Sequence, residues 1–151
     1  MSFAALFSRA RTGIEAPQVT VEVHIANGLP AFSIVGLPEK AVQESRDRVR
    51  GALQNTHFEF PARRITVNLA PADLPKEGGR FDVAIAIGIL VASGQLKTSD
   101  LEDSEFLGEL SLNGQIRDIP GVLPAALAAR NAGREVILPA GNAAEAGYVD
   151  D

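Results

Sequence analysis

The sequence contains no cysteine and no tryptophan, and only one tyrosine, one methionine and two histidines. Without cysteine, these residues hold no disulfide, no thiolate nucleophile and no Cys-based metal site, which fits a cytoplasmic protein. With so few aromatics, the core has to be built from aliphatic side chains. No apolar run approaches the ~20 residues of a membrane helix; the longest, 83–92, has about ten and carries Gly88. The N-terminal residues 1–9 lack the charged-then-apolar order of a signal peptide. Positive charge is also in short supply, with 14 basic against 19 acidic residues and a net charge of −5. Phosphate neutralisation supplies most nucleic-acid affinity, so this balance argues against DNA binding by the chain as a whole and leaves room for a local basic patch. No G-x-x-x-x-G-K-[ST] run occurs, which excludes a Walker A nucleotide site. His24 lies on an alternating strand and His57 in a connection, neither with ligand-spaced partners, so neither a metal site nor a His-based triad is expected.

What is present reads as one domain of 151 residues, 46% apolar and 22% charged. Such a chain buries ~68–70% of the surface it exposes when unfolded. Residues 3–11 alternate loosely and read as an edge strand. Residues 19–26 alternate cleanly and read as a half-buried strand, with Val19, Val21, Val23 and Ile25 on one face. Asn27-Gly28 then predicts a hairpin to a second strand, 31–35. Pro38 and Glu39 open a helix to about Asn55, with Ala41, Val42, Ser45, Val49, Ala52 and Leu53 as its buried stripe. A strand at 64–70 leads to a buried helix at 81–93. A second Asn-Gly, at 113–114, predicts a hairpin between 106–112 and 115–119. A helix at 122–132, closed by Gly133, precedes a short buried strand at 135–139 and the start of a last helix near Asn142. This order predicts an α/β (α+β) fold, a mixed sheet with helices packed against it. The ending at Asp150-Asp151 suggests a piece of something longer.

Two regions carry candidate chemistry. Arg46, Arg48 and Arg50, with Arg63 and Arg64, form the most basic surface, open to two readings: a solvated helix face with Lys40–Glu44 and Glu44–Arg48 pairs, or a phosphate-facing patch. The second region is the two-proline loop 70–82, with Gly78-Gly79 before the helix and Asp82 in its first turn, where a carboxylate suits the positive dipole end. Gly78-Gly79 is either an anion cradle or a tight strand-to-helix turn. Lys40, Lys76 and Lys97 read as solvent-facing by context. The helix 122–132 has no lysine to serve a Ser–Lys dyad.

Several runs resemble a known family: Gly36-Leu37-Pro38-Glu39, Arg46-Asp47-Arg48-Val49-Arg50, Phe60-Pro61-Ala62, the unbroken stretch from Ile65 through Leu69-Ala70-Pro71-Ala72-Asp73-Leu74-Pro75-Lys76-Glu77-Gly78-Gly79-Arg80-Phe81-Asp82, and Phe106-Leu107-Gly108-Glu109-Leu110. Together they are similar to the N-terminal domain of the YifB/ComM family, bacterial magnesium chelatase-like AAA+ ATPases. The resemblance covers essentially all of 1–151 and implies a fold like the proteolytic domain of Lon protease. The Lon nucleophile motif P-K-D-G-P-S-A-G falls on Pro75-Lys76-Glu77-Gly78-Gly79-Arg80-Phe81-Asp82, which puts Arg80 in the serine's place. The segment carrying the Lon lysine falls on 112–125, which puts Ala125 in the lysine's place. The resemblance therefore implies a retained fold, a lost peptidase and a basic surface loop.

It further implies no cofactor in this segment, with ATP and Mg in a downstream module. The implied partners are that module and neighbouring subunits of a hexamer, with DNA as the substrate of a branch-migration motor in natural transformation. Lys76, Arg80, Arg46, Arg48, Arg50, Arg63 and Arg64 are then the candidate DNA or subunit contacts. The alternative is an interaction or oligomerisation scaffold with no DNA role.

Overall fold

A computed structural model of the chain describes residues 2–36, 38–97, 101 and 103–146. Its centre is a six-stranded mixed sheet in the order β3-β4-β2-β1-β5-β8. Strands β1 (Ser2–Arg9), β2 (Gln18–Ala26) and β4 (Arg64–Ala70) pair antiparallel, Val23 facing Ala4 on one side and Val67 on the other. β3 (Ala31–Val35), β5 (Ser104–Phe106) and β8 (Glu135–Ile137) join in parallel, on β4, β1 and β5 respectively. The period-two residues of β2 line up with Leu6, Ile65, Val67 and Leu69 to give one aliphatic face. The other face carries Thr20, Glu22, His24, Thr66 and Asn68, with Asn68 Nδ2 donating to Glu22 Oε1 at 2.7 Å.

Helix α3 (Asp82–Ala92) covers the aliphatic face, and every residue in it except Ile87 is buried. It packs on β1 and β2 on one side and on α2 (Ser45–Asn55) and β6 (Glu109–Leu110) on the other, so an apolar run without a polar face is stable here. Gly88 permits the close approach: a Cβ there would lie 2.6 Å from Val23 Cγ2. Each fully buried Ile of α3 contributes about 1.5–3 kcal/mol. A smaller core joins Ala16, Leu107 and Ile119 to Val122 and Ala125 of α4 (Val122–Asn131). The chain then passes a 3-10 turn at Ala140–Asn142 into α5 (Ala143–Ala146).

Several expectations need correction. β1 is an interior strand, paired along its length with β2 and at Phe7 with β5. Its pattern is loose because the outward positions Phe3, Ala5 and Phe7 are also apolar. Asn27-Gly28 does not close a hairpin, because β4 inserts between β2 and β3, with Arg64 facing both Ala26 and Ala31. The 38–55 helix is interrupted at Glu44 into α1 (Lys40–Gln43) and α2. There the Ala41 carbonyl accepts Arg48 Nη2 at 3.1 Å, and Ala41 is only half-buried. β8 is an edge strand with Glu135 and Ile137 exposed, not a buried one. The 113–114 hairpin is present, in shorter strands: β6 pairs antiparallel with β7 (Ile116–Arg117). No described helix is long and apolar enough to cross a membrane.

Candidate functional site

The loop between β4 and α3 is held in place by a buried lysine. Lys76 is 0% exposed, and its Nζ donates to the Gly36 carbonyl at 2.5 Å and to the Pro71 carbonyl. Its main chain bridges Pro38 and accepts the Glu39 N–H at 3.1 Å. The solvent-facing expectation is therefore wrong: a flexible stem lies in the loop and carbonyl oxygens replace water around the ammonium. Burial lowers the Lys76 pKa from its ordinary value, opposed by the nearby Asp73. The strand end at Gly36 is equally constrained, since a Cβ there would meet Leu69 O at 2.2 Å.

Arg80 is also buried, at 5% exposure, so the loop is not the basic surface loop that the resemblance implied. Its Nε and Nη2 have no hydrogen-bond partner among the described residues. Burial, with the charge of Arg11 adding to it and that of Glu77 opposing, lowers its pKa to about 10. Arg80 lines a cavity of about 490 Å³ together with Arg11, Gly13, Glu39, Glu77, Gly78, Gly79, Glu109 and residues 118–120. The Gly78 N–H donates to Glu39 Oε1 at 2.9 Å, so one amide of the Gly-Gly turn is already occupied.

Asp82 does more than face a helix dipole. Fully buried, it accepts Ser45 Oγ at 2.5 Å, Arg48 Nε at 2.6 Å and Nη2 at 3.2 Å, and the Leu110 N–H at 3.0 Å. This network ties α2, α3 and β6 together. Arg48 thus points inward, although it also lies 3.8 Å from Glu44. Its pKa is raised: burial opposes the charge, and the hydrogen bond and charge of Asp82 outweigh it. A second network that the sequence reading missed joins Arg9 to Glu105 through Nε at 2.7 Å and Nη2 at 2.8 Å, with Arg134 on Oε2 at 3.0 Å. Partners 96 positions apart leave no local signal.

The remaining sequence candidates stay outside. Arg46, Arg50, Arg63 and Arg64 are exposed. Arg46 Nε donates to the Gln43 carbonyl at 3.1 Å, and Arg50 lies 4.9 Å over the Phe60 ring, which links α2 to the 60–64 segment. His24 is half-buried on the outer sheet face and His57 is exposed. No group of three His, Cys, Asp or Glu suited to a metal occurs among the described residues. Ala125 is fully buried in α4, in one core cluster with Ile119 of the cavity wall. Arginine at 80 offers no nucleophile and alanine at 125 no base.

The sheet order, the buried helix and its loop define a mixed α/β domain to which a Lon protease is related. The Lon protease of Chloroflexus aurantiacus is 29% identical over 133 residues, 82% of this chain and 16% of that protein. The family described as subunit ChlI of Mg-chelatase matches residues 21–142, and the chain belongs to it. It is 60% identical over 151 residues to competence protein ComM of Haemophilus influenzae, covering 100% of this chain and 30% of that protein. The YifB proteins of Salmonella typhimurium and Escherichia coli are 54% and 50% identical, each over 99% of this chain. The chain spans about 30% of the length of these relatives, at their N-terminal end.

Proposed function

We propose that the chain is the non-catalytic N-terminal accessory domain of a magnesium chelatase-like AAA+ ATPase of the ComM/YifB type. In this reading 1–151 is one Lon-like domain, ATP and Mg are held by a module that follows it, and the working unit is a cytoplasmic hexamer. The whole protein is a DNA branch-migration motor of natural transformation. The observation that carries the reading is 60% identity, across the whole chain, to a protein named for competence. Arg80 and Ala125 support its non-catalytic half, because neither side chain performs the dyad's chemistry. Arg46, Arg50, Arg63 and Arg64 are the contact surface in this reading, toward DNA or a neighbouring subunit. Lys76 and Arg48 serve it indirectly, by bracing the loop and α2.

The test is DNA binding by the purified chain between 50 and 200 mM salt, alone and as the Arg46→Ala/Arg50→Ala variant. Binding that falls steeply with salt, and whose slope drops by about 2 in the variant, supports the DNA reading. The net charge of −5 favours a second reading, an oligomerisation scaffold. No binding at low salt, together with a concentration-dependent oligomer, supports that one. ATP turnover by residues 1–151 refutes the accessory role.

A further inference from the structure

We infer that the cavity lined by Arg80 is a binding site for a carboxylate presented by a polypeptide segment of mixed charge. This stands apart from the DNA and ATPase roles proposed above. A guanidinium at 5% exposure with Nε and Nη2 both unpartnered among the described residues is a costly arrangement that those residues do not satisfy. Among the described residues, no carboxylate lies within the 4.0 Å of an ion pair with it. Nε and Nη2 form one edge of the fork. That same edge of Arg9 grips both oxygens of Glu105, at 2.7 and 2.8 Å. The acceptor that fits Arg80 is therefore a planar, two-oxygen group.

The rest of the lining selects the class of ligand. Arg11 is a second cation on this cavity, and burial together with its charge lowers the Arg80 pKa to about 10, which leaves Arg80 charged at neutral pH. Glu39, Glu77, Glu109 and Asp118 share the wall. Four carboxylates repel a phosphate dianion, and they complement a monoanion flanked by cations. A Glu or Asp beside Lys or Arg in a polypeptide has that character. Binding requires Arg80 to turn its outer torsions toward the cavity, exchanging an unpaired pose for a paired one.

The experiment follows the Arg80 Nε–H resonance in ¹⁵N-labelled protein, assigned by its loss in Arg80→Met. The probes are N-acetyl-Lys-Glu-Lys-amide, its Gln counterpart, free glutamate and inorganic phosphate, at constant ionic strength. We expect a saturable shift with the Glu peptide at a Kd on the order of millimolar. The same peptide should raise the melting midpoint of wild type and not of Arg80→Met. Arg80→Lys, which keeps the charge and loses the fork, should bind at least about tenfold more weakly. A shift of the resonance on diluting the protein alone also supports the inference and assigns the segment to a second copy. Equal binding of the Gln peptide, saturation by phosphate or free glutamate at lower concentration than the peptide, full affinity in Arg80→Lys, or no shift with any probe would each overturn it.

Discussion

Replacing Asp82 with alanine removes the acceptor of four hydrogen bonds and strips Arg48 of its buried counter-charge. Truncating one partner of a buried ion pair costs about 3–5 kcal/mol, because the other charge stays behind unpaired. The Arg48 side chain is 20% exposed, so water relieves part of that charge and pulls the figure toward the lower end. The orphaned Leu110 N–H, buried with β6, restores about 1–3 kcal/mol of cost. A net loss of about 4 kcal/mol follows, set against a total stability of about 5–15 kcal/mol. For a chain of this size it lowers the melting midpoint by about 8–16 °C. Urea unfolding should show a lower midpoint with an unchanged m-value, since the surface exposed on unfolding is the same. In a double-mutant cycle with Arg48→Met, the second substitution should cost far less in the Asp82→Ala background. A loss below about 1 kcal/mol, or full additivity in the cycle, would refute the bracing role assigned to this network.

Gly36→Ala should be more disruptive than its size implies, because the residue has φ 105 and its Cβ would meet Leu69 O at 2.2 Å. The β4 backbone has to move and the acceptor of Lys76 moves with it, for a cost above about 3 kcal/mol; an unchanged thermal midpoint would contradict this. Lys76→Met tests the buried ammonium through pH. The folded pKa lies below the ordinary 10.5, so the unfolded chain binds more protons between those two values. Wild-type stability relative to Lys76→Met should then rise as pH climbs from neutrality toward 10.5, and a flat or falling difference would count against it.

Local pattern made much of the fold legible. The alternation of Val19, Val21, Val23 and Ile25 placed β2. The unbroken apolar run after Asp82 placed α3 in the interior, where it packs on both sides. Ser111 to Gln115 closes the hairpin that Asn113-Gly114 announced. The failures share a different cause. Asn27-Gly28 has the chemistry of a tight hairpin, and no local rule foresees that residues 64–70 come between its arms. Charge was read as exposure at Lys76, Arg80 and Arg48. Lys76 has one acceptor nearby, the Pro71 carbonyl five positions away, but its other acceptor and the counter-charge of Arg48 lie far along the chain: the Gly36 carbonyl 40 positions from Lys76, and the Asp82 carboxylate 34 positions from Arg48. The long motif through 65–82 pointed to the family without telling which of its cations face water. Among the described residues Arg80 has no partner at Nε or Nη2, so the contacts they make would not have predicted its burial.

The insertion of β4 also bears on how the chain is made. All four strands from β3 to β1 lie before residue 71, and the last of them synthesised takes an inner place. Until it emerges, β2 and β3 have to stand about two strand spacings, 9–10 Å, apart. Even then the aliphatic face waits for α3, and the free side of β1 waits for residues 104–106. A nascent chain halted near residue 75 therefore presents an uncovered apolar sheet with an open inner edge, a surface that invites chaperones and sister chains alike.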